Sequence, residues 1–408
     1  MRILLSAYSC NPNRGSEPGV GWGWATALAD AGHEVDILTQ AGNRAAIEAE
    51  LALRPRPLLR FHWHQLPPAL HRLKHSGAGL GLRLHYISWQ ISAVPVLRAI
   101  AAERGSDLGH HVTFAQYWSF CALSKGGLPF IWGPVGGGER TPPAFWPALG
   151  VRACAYEAAR ALLGRVSAWG GFMGPTARGC RLAVASTPET AACLKALGAE
   201  QPLTVSQVAL KPADLEQLAR MAPVPPAGGP FRFVILGDLL AHKGVHLALS
   251  ALARVQADWR LAVIGDGPCR RRLEDQARRL GIAGKVHFHG ALPRPEAWAQ
   301  LGEAHALLFP ALHDSGGMAA AEAMAAGLPV ICLALGGPPG LVVEGTGFAV
   351  PAPDPATAIT GLAQAAQRLI DDPALWSRLS AGARTHAHRT FTWPARVAAV
   401  YGALETAP

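Results

Sequence analysis

Short apolar runs separated by loops and amphipathic stretches recur along the first half of the chain. Their alternation with a helical pattern predicts parallel strands joined by helical crossovers, because parallel neighbours cannot be joined by a tight turn. An amphipathic stretch at 22–31 predicts the first crossover helix, and Gly32 ends it. The apolar runs that predict strands are residues 2–8, 34–40, 59–66, 107–113, 128–133 and 182–187.

The same alternation restarts after residues 223–231, the segment densest in Pro and Gly and therefore a natural linker. Predicted strands 231–239, 259–267, 285–290, 305–311 and 329–334 alternate with predicted helices 244–256, 268–280, 294–302 and 317–326. The predicted fold class is α/β, with two Rossmann-like domains facing each other across a cleft. We assign residues 1–205 to the first domain, 206–230 to the linker and 231–390 to the second domain.

Composition excludes some classes of protein and suggests an anionic partner. Of the 408 residues, 50% are hydrophobic and 16% are charged, which excludes intrinsic disorder. The formal net charge is +9, which suits phosphate, nucleic acid or an acidic membrane surface. Seven scattered cysteines without a CxxC pair, and a start that lacks the apolar region of a signal peptide, indicate a reducing cytosol.

Residues 317–335 are almost free of charge but do not predict a membrane span. Glu322 stands within them and Gly327-Leu328-Pro329 interrupts them, so we expect a helix followed by a buried strand. The chain has no GxxxxGK[ST], HExxH or GxSxG motif, and its GDG sequence lacks the third glycine of GxGxxG. Without a basic helix or an RNP-like strand, nucleic-acid binding is not expected.

Doubly wound sheets bind ligands at the carboxyl ends of their strands, so the loops there are the candidate sites. In loop 11–22, Gly15 and Ser16 precede a helix whose backbone N–H groups could bind an anion, although an ordinary Gly-rich turn explains them equally well. Lys243 also precedes a helix and suits a phosphate; the alternative is a solvated lysine.

The loop at 310–330 carries the strongest signal. Asp314 stands at a strand exit, and two glycines lead from it into an Ala-rich helix that contains Glu322. Eight residues are a little over two helical turns, so both acids can lie on one face. A lone Glu in so apolar a helix needs a polar partner, which favours a functional role.

Several motifs of the chain occur together in one enzyme family. In the second half they are GDLLAHKG (237–244), VIGDGPCRRRLE (263–274), DSGGMAAAEAMAAGLPV (314–330) and GGPPGLVVEGTGFAV (336–350). In the first half they are GSEPGVGWGWATALADAGHEVDILT (15–39), HHVT (110–113) and GPVGGGE (133–139). The chain therefore resembles the retaining, family-4 (group 1) glycosyltransferases of GT-B fold, most strongly over about residues 230–350.

The resemblance implies roles for the residues at matching positions. Lys243 matches the lysine that binds the donor diphosphate, and Glu322 matches the second acid of an E-x7-E element, which holds the ribose hydroxyls. The strand end at 288–290 should contact the base. The donor-binding residues that follow are Gly15, Ser16, Lys243, His289, Ser315, Gly316, Gly317, Met318 and Glu322.

The resemblance also suggests catalytic residues. His110 stands where the family keeps a histidine near the transferred sugar, and His111 is the alternate, because neighbouring strand residues face opposite ways. Asp314 stands at the first acid of the element. A loop for phosphate or acceptor is formed by Arg14, Glu17, Gly136, Gly137, Gly138, Glu139 and Arg140. Residues 391–408 should return as a helix onto the first domain.

Two positions depart from the family pattern. Asp314 replaces a glutamate and is one methylene shorter, which alters its contact with sugar hydroxyls. Asp238 replaces the diphosphate-binding arginine, and a carboxylate there repels a diphosphate. Either Arg14 or Arg140 substitutes, or Asp238 turns away, or donor binding is impaired.

The implied activity is metal-independent hexosyl transfer with retained configuration, from a nucleotide-diphosphate sugar such as a UDP- or GDP-sugar. No cofactor is expected, and no DxD pair stands at a suitable strand end. The acceptor would be a cell-surface glycan or a lipid-linked intermediate. The alternatives are a catalytically silent sugar-nucleotide-binding protein and a GT-B nucleotide-sugar 2-epimerase or hydrolase.

Positive charge is concentrated in the first half of the chain, which suggests binding to an anionic membrane surface. The first 205 residues hold 19 basic and 12 acidic side chains, and residues 51–102 contain no Asp or Glu. Aromatic residues stand among the cations of this stretch, a pattern that suits an anionic leaflet. The cations are Arg54, Arg56, Arg60, Arg72, Lys74, Arg83 and Arg98. We expect a cytoplasmic protein, peripheral on the inner face of the cytoplasmic membrane.

Overall fold

Two sets of long-range contacts divide the chain into two units. The computed structural model describes residues 1–408 except 76–79, 170, 172, 222, 224, 227 and 407–408. The first unit consists of Met1–Gly138, Leu162–Gln207 and Trp393–Pro408. The second unit consists of Glu139–Ala161 and Val208–Thr392. Each unit therefore combines segments that are distant in sequence.

The first unit contains a parallel sheet of seven strands. The strands are β1 (Arg2–Ala7), β2 (Glu34–Gln40), β3 (Leu59–His64), β4 (Leu108–Val112), β5 (Phe130–Val135), β6 (Leu182–Ala185) and β7 (Leu203–Thr204). Their order, β3-β2-β1-β4-β5-β6-β7, changes direction between β1 and β4. At such a switch point, doubly wound sheets bind ligands beyond the carboxyl ends of the strands.

The second unit contains a parallel sheet of six strands. The strands are β8 (Phe231–Leu236), β9 (Trp259–Ile264), β10 (Val286–Gly290), β11 (Ala306–Phe309), β12 (Val330–Leu333) and β13 (Gly347–Val350). Their order, β10-β9-β8-β11-β12-β13, repeats the arrangement of the first sheet. Its switch point lies between β8 and β11.

Helices connect most of the consecutive strands in both sheets, as parallel pairing requires. They are α1 (Ser16–Asp30), α2 (Arg44–Leu53), α3 (Pro68–His71), α4 (Leu80–Arg104), α5 (Trp146–Leu149), α6 (Val151–Trp169), α7 (Gly174–Gly179), α8 (Pro188–Ala196), α9 (Pro212–Ala219), α10 (Val245–Leu252), α11 (Arg270–Arg279), α12 (Arg294–Glu303), α13 (Met318–Ala326), α14 (Pro355–Asp371), α15 (Pro373–Thr390) and α16 (Trp393–Thr406). In the described residues, no helix is both long and apolar enough to cross a bilayer.

Successive residues of the second sheet belong to different hydrophobic cores. Ile331 and Leu333 lie in one cluster, whereas Val330 and Cys332 lie in another. Because neighbouring strand residues face opposite sides, both faces of this sheet are buried under helices. The charge-poor stretch at 317–335 accordingly forms α13, a turn at Gly327 and β12, as its sequence predicts.

The units differ from the predicted domains in two places. Residues 139–161 were expected in the first domain, but Phe145 and Leu149 are buried in a core of the second unit. The expected linker 206–230 includes α9, whose Leu215 and Leu218 are buried in that unit, while its residues 222, 224 and 227 lie outside the described part. The final helix α16 does belong to the first unit, and Trp393 lies against Gly23 of α1.

Candidate functional site

Lys243 is held at the switch point of the second sheet by a glycine. The turn Ala241–Lys243 follows β8 and ends at Gly244, which has a φ of 68°. A Cβ at Gly244 would lie 1.9 Å from the carbonyl oxygen of Pro310, just beyond β11. Only glycine allows both this left-handed conformation and this close approach. The exits of β8 and β11 are thereby brought together beside Lys243.

Asp314 forms the centre of this site. Its Oδ2 lies 2.5 Å from Nζ of Lys243, and its Oδ1 accepts 2.9 Å hydrogen bonds from the backbone N–H groups of Gly316 and Gly317. Burial alone would raise the pKa of Asp314, but the charge and hydrogen bond of Lys243 and the two N–H bonds lower it overall. One ammonium and two amides at the start of α13 therefore converge on a carboxylate, which is how proteins bind anions.

Glu322 lies four residues into α13 and is paired with Arg294. The Oε1 atom accepts hydrogen bonds of 2.9 and 3.2 Å from the guanidinium, whose Nη2 also lies 3.0 Å from Oδ2 of Asp214. The guanidinium carbon stands 4.2 Å from the ring centre of Trp298. Burial raises the pKa of Glu322 in spite of the positive charge of Arg294. This is the polar partner that the Ala-rich sequence required.

A buried cluster beside Asp314 was not found from the sequence. His313 Nε2 lies 2.7 Å from Oε1 of Glu157, and the His313 ring stacks on His242 with centroids 4.2 Å apart. Nη1 of Arg160 lies 3.0 Å from His313 Nε2. Burial, with the charges of His313 and Lys243, lowers the pKa of His242 to about 3. No motif marks these residues, because Glu157 and Arg160 come from α6, far away in sequence.

The glycine loop of the sequence also reaches this cluster. Oε2 of the buried Glu139 accepts a 3.1 Å hydrogen bond from the Ser315 hydroxyl, and its carbonyl oxygen accepts one from Arg160. Arg160 therefore contacts the loop after β11 through His313. Asp238, Arg14 and Arg140 are all exposed.

His289 lies at the carboxyl end of β10, where the base contact was expected. It is partly exposed, and its ring centre is 4.3 Å from that of His287. Burial and the charge of His287 lower the pKa of His289. The carbonyl oxygen of Phe288 accepts a hydrogen bond from Arg270, so this backbone acceptor is already used.

In the first unit, His110 and His111 make different contacts and both are buried. The ring nitrogens of His110 bond to the hydroxyl of Tyr401 in α16 and to the carbonyl of Gly133, at 3.0 and 2.8 Å. His111 Nε2 bonds to the Tyr86 hydroxyl at 3.1 Å, and its Nδ1 has no partner among the described residues. Burial lowers the pKa of His110 to about 4 and that of His111 to about 3.

The predicted catalytic contact of His110 does not fit this geometry. Its side chain has no exposed surface, and both of its ring nitrogens are already hydrogen-bonded. His110 therefore ties α16 to the sheet and has no atom to offer a substrate in this structure. The pattern HHVT predicted the strand correctly but could not show what covers it.

Glu17 joins the two strand exits at the switch point of the first sheet. Its carboxylate accepts a hydrogen bond from the backbone N–H of Phe114, which has a φ of 51°, and Thr113 has a φ of 67°. Two non-glycine residues with positive φ are uncommon and mark a functional site more often than ordinary loops. Burial raises the pKa of Glu17.

A cavity of about 230 Å³ opens beside this strained turn. Aromatic side chains form much of its wall, and the guanidinium of Arg83 stands 5.2 Å from the ring centre of Trp118. The lining residues are Leu82, Arg83, Tyr86, Ile87, Phe114, Gln116, Trp118 and Ser119. Aromatic walls with a few polar groups are typical of a small-molecule site.

The remaining glycines of the predicted acceptor loop are needed for close packing. A Cβ at Gly137 would lie 3.0 Å from Trp118 of the cavity wall, and one at Gly138 would lie 2.5 Å from the backbone of Thr190. Gly136 pairs with the chain after β4 through hydrogen bonds with Ala115 and Tyr117. Gly15 precedes α1, and Ser16 begins it, although the side chain of Ser16 lies outside the described part.

Comparison with known proteins finds similarity over most of the second unit. Residues 219–386 match the family model described as glycosyl transferases group 1. This part of the chain is similar to the group 1 glycosyl transferases. The glycogen synthase of Mycobacterium tuberculosis is 34% identical over 172 residues, which are 41% of this chain and 41% of that protein. The lipopolysaccharide core biosynthesis glycosyltransferase LpsD of Rhizobium meliloti is 32% identical over 200 residues, 49% of this chain and 56% of LpsD.

Solved structures of similar fold are matched over nearly the whole chain. HepE of Anabaena in complex with UDP and glucose matches with a TM-score of 0.59 and 16% identity, over 100% of this chain and 99% of that one. The predicted GT-B class with two Rossmann-like units is confirmed. The sequence relatives, in contrast, are matched over only about two fifths to a little over half of their own length.

Within the second unit, the structure brings together Lys243, Asp314 and the glycines of the turn, and places Glu322 on the helix that follows. It also shows that the amides of Gly316 and Gly317, which were expected to bind the ligand, are bonded to Asp314. In the described residues, no group of three or more His, Cys, Asp or Glu side chains is arranged to hold a metal ion. Metal independence remains a prediction.

Proposed function

We propose that the protein is a retaining glycosyltransferase that moves a hexose from a nucleotide-diphosphate sugar to a cell-surface glycan or a lipid-linked acceptor. One observation carries the proposal: Lys243 and the amides of Gly316 and Gly317 converge on an anionic group at a switch point. Two observations support it. HepE, with a similar fold, has been solved with UDP and glucose, and LpsD acts in lipopolysaccharide core biosynthesis.

In the proposed reaction, the diphosphate gains negative charge as the bond to the sugar breaks. Lys243 and the positive end of α13 stabilise that charge, and fixed donors of this kind are usually the largest single contribution to catalysis. Both hydrogen bonds from Arg294 go to Oε1 of Glu322, and we assign the other oxygen, Oε2, to the ribose hydroxyls.

We assign acceptor binding to the first unit. Its cavity combines the aromatic walls of Tyr86, Phe114 and Trp118 with the polar side chains of Gln116 and Ser119, which suits a sugar ring. Glu17 fixes the turn that carries Phe114. We also propose that the protein works at the inner face of the cytoplasmic membrane, where lipid-linked acceptors are found.

A catalytically silent sugar-nucleotide-binding protein is the second candidate, and two observations favour it. The carboxylate of Asp314 already occupies the donors that a phosphate would need. Asp238 is exposed at the position where the family has an arginine. A protein that binds the nucleotide without turning it over would tolerate both features.

The test is nucleotide release from a panel of UDP- and GDP-sugars, with and without bacterial lipid extract. Glu322→Gln keeps the size of the side chain but removes its charge, and Glu296→Gln, on the exposed side of α12, is the matched control. We expect release from one donor, stimulated by the extract, at least tenfold slower in Glu322→Gln and unchanged in Glu296→Gln. Binding without release supports the silent protein, and neither binding nor release contradicts both candidates.

A further inference from the structure

The acid-free stretch 51–102 offers less to a membrane than its sequence predicts. Three of its arginines are paired with carboxylates from outside the stretch, and two of its aromatic residues, Tyr86 and Trp89, are buried in the core. The pairs are Arg54 with Glu50, Arg56 with Asp30 and Arg60 with Asp36. Any membrane-binding face must therefore be sought among exposed residues elsewhere.

Helix α6 exposes an apolar stripe along its length. Val151, Leu162 and Val166 are 87%, 62% and 55% exposed, and Ala155 and Ala159 between them are also exposed. These five positions follow the spacing i, i+4, i+8, i+11 and i+15, which places them on one side of a helix. No polar residue interrupts that side.

The opposite side of α6 faces the protein and holds polar contacts beside apolar ones, since Ala153 and Cys154 pack against a hydrophobic core. Glu157 is buried against His313, Arg160 contacts the same histidine, and Gly164 is buried. An ordinary surface helix exposes a polar side, whereas α6 exposes an apolar stripe. An apolar stripe exposed to solvent indicates a site where a partner binds.

The charges on α6 indicate what that partner is. Arg152 and Arg165 are exposed on either side of the stripe, and neither forms an ion pair among the described residues. Glu157, the single acid of the helix, is buried. The exposed face thus combines aliphatic side chains with positive charge and has no carboxylate.

We propose that the outward face of α6 docks onto an anionic lipid surface. The aliphatic stripe enters the boundary between headgroups and acyl chains, and the two arginines bind lipid phosphates, as in interfacial amphipathic helices. A second copy of the chain would bring Arg152 and Arg165 against the same arginines of its partner, and this repulsion of like charges favours an anionic lipid surface over self-association. The inference rests on the proposed function only in that a lipid-linked acceptor gives the docking a purpose.

Co-sedimentation of the full chain with vesicles tests the proposal. One set of vesicles contains phosphatidylglycerol in phosphatidylcholine, and the other contains phosphatidylcholine alone. The stripe variant combines Leu162→Gln with Val166→Gln, and the charge variant combines Arg152→Gln with Arg165→Gln. Ile91→Gln is the matched control, because Ile91 is 58% exposed on α4, within the acid-free stretch.

We expect the wild type to bind the anionic vesicles and to be released by salt. The charge variant should bind about fivefold more weakly for each arginine removed, the stripe variant on the order of tenfold or more weakly, and Ile91→Gln like the wild type. Wild-type protein that stays in the supernatant overturns the proposal, as does a stripe variant that binds normally. Light scattering that shows a wild-type dimer, dissociated in the stripe variant, overturns it in favour of self-association.

Nucleotide release is measured on the same samples. If the stripe variant no longer binds vesicles but still releases nucleotide, only membrane docking has been lost and the proposed transferase activity is intact. Circular dichroism confirms that each variant is folded before it is compared.

Discussion

At the scale of single residues, Asp314 stands where the family pattern has a glutamate, and its carboxylate bonds within its own loop and to Lys243. The shorter side chain turns back on its own loop, so its oxygens meet Lys243 and the amides of Gly316 and Gly317. The sequence showed that an aspartate replaces the glutamate and that it stands next to a glycine turn suited to anions. It could not show that the carboxylate itself would fill that turn, because this depends on side-chain geometry within about an ångström.

Asp314→Asn and Asp314→Ala should behave differently. Asn keeps an oxygen for the two amides but removes the charge that holds Lys243, so we expect a loss of about 2 kcal/mol in stability and tighter binding of UDP or GDP. Ala removes both functions and should cost about 4 kcal/mol or more, since three bonds are lost and bonds to charged groups are worth about 1.5–3 kcal/mol each. Urea unfolding and calorimetry measure the two effects.

A different result for Asp314→Asn would change the role of this residue. If the nucleotide binds tenfold more weakly to this variant than to the wild type, Asp314 contacts the ligand directly and does not compete with it.

At the scale of elements, the alternating pattern predicted most of the strands and crossover helices within a few residues. Strand β8 begins at the predicted residue, and α13 begins one residue late. Residues 139–161 were predicted in the first domain but belong to the second unit. Phe145 and Leu149 are apolar residues that could fill either core, and only long-range packing decides which. The sequence likewise could not show that α6 turns its apolar stripe outward.

Gly23→Ala tests how α16 is seated on the first unit. A Cβ at Gly23 would lie 2.0 Å from the ring of Trp393, so α1 and α16 must separate or Trp393 must move. We expect a loss of about 3 kcal/mol in the free energy of unfolding, the upper end for overpacking. Gly42→Ala is the control, because nothing lies within 4 Å of a Cβ there. Equal urea midpoints for the two variants would contradict this packing.

At the scale of the whole molecule, the net charge of +9 proved less informative than its placement. Several histidines are buried and uncharged, which makes the fold sensitive to acid. The pKa values of His110, His246 and His305 are lowered to about 4, and those of His111 and His242 to about 3, in each case mainly by burial. These shifts could not be predicted from the sequence, because burial of a polar residue depends on tertiary structure.

These shifts set the direction of the pH dependence. Below the ordinary histidine pKa of 6.5 the unfolded chain binds protons that the folded chain does not, so stability falls as the pH drops from 6.5 towards 4. At pH 5, His110 alone should cost about 2 kcal/mol relative to pH 7. The lowered pKa values of Glu157 and Asp314 act at still lower pH, below 4.5 and 3.8.

Urea midpoints at pH 7 and pH 5 measure this dependence. His110→Gln can replace the hydrogen bonds but does not titrate, so the difference between the two midpoints should shrink. The raised pKa values of Glu17 and Glu322 act in the opposite direction, so the comparison with His110→Gln decides: an unchanged difference between the midpoints of this variant would contradict the account of His110.

The central claim is that the turn between β11 and α13, with Lys243, seats the diphosphate of a nucleotide sugar. Calorimetric titration of the full chain with UDP and GDP tests it most directly, in the wild type, in Lys243→Ala and in Lys285→Ala, a lysine that instead contacts Ala257 and Trp259. We expect the wild type to bind one nucleotide, Lys243→Ala to bind it at least tenfold more weakly, and Lys285→Ala to bind it unchanged. A wild type that binds neither nucleotide, or a Lys243→Ala variant that binds as tightly as the wild type, would contradict the claim.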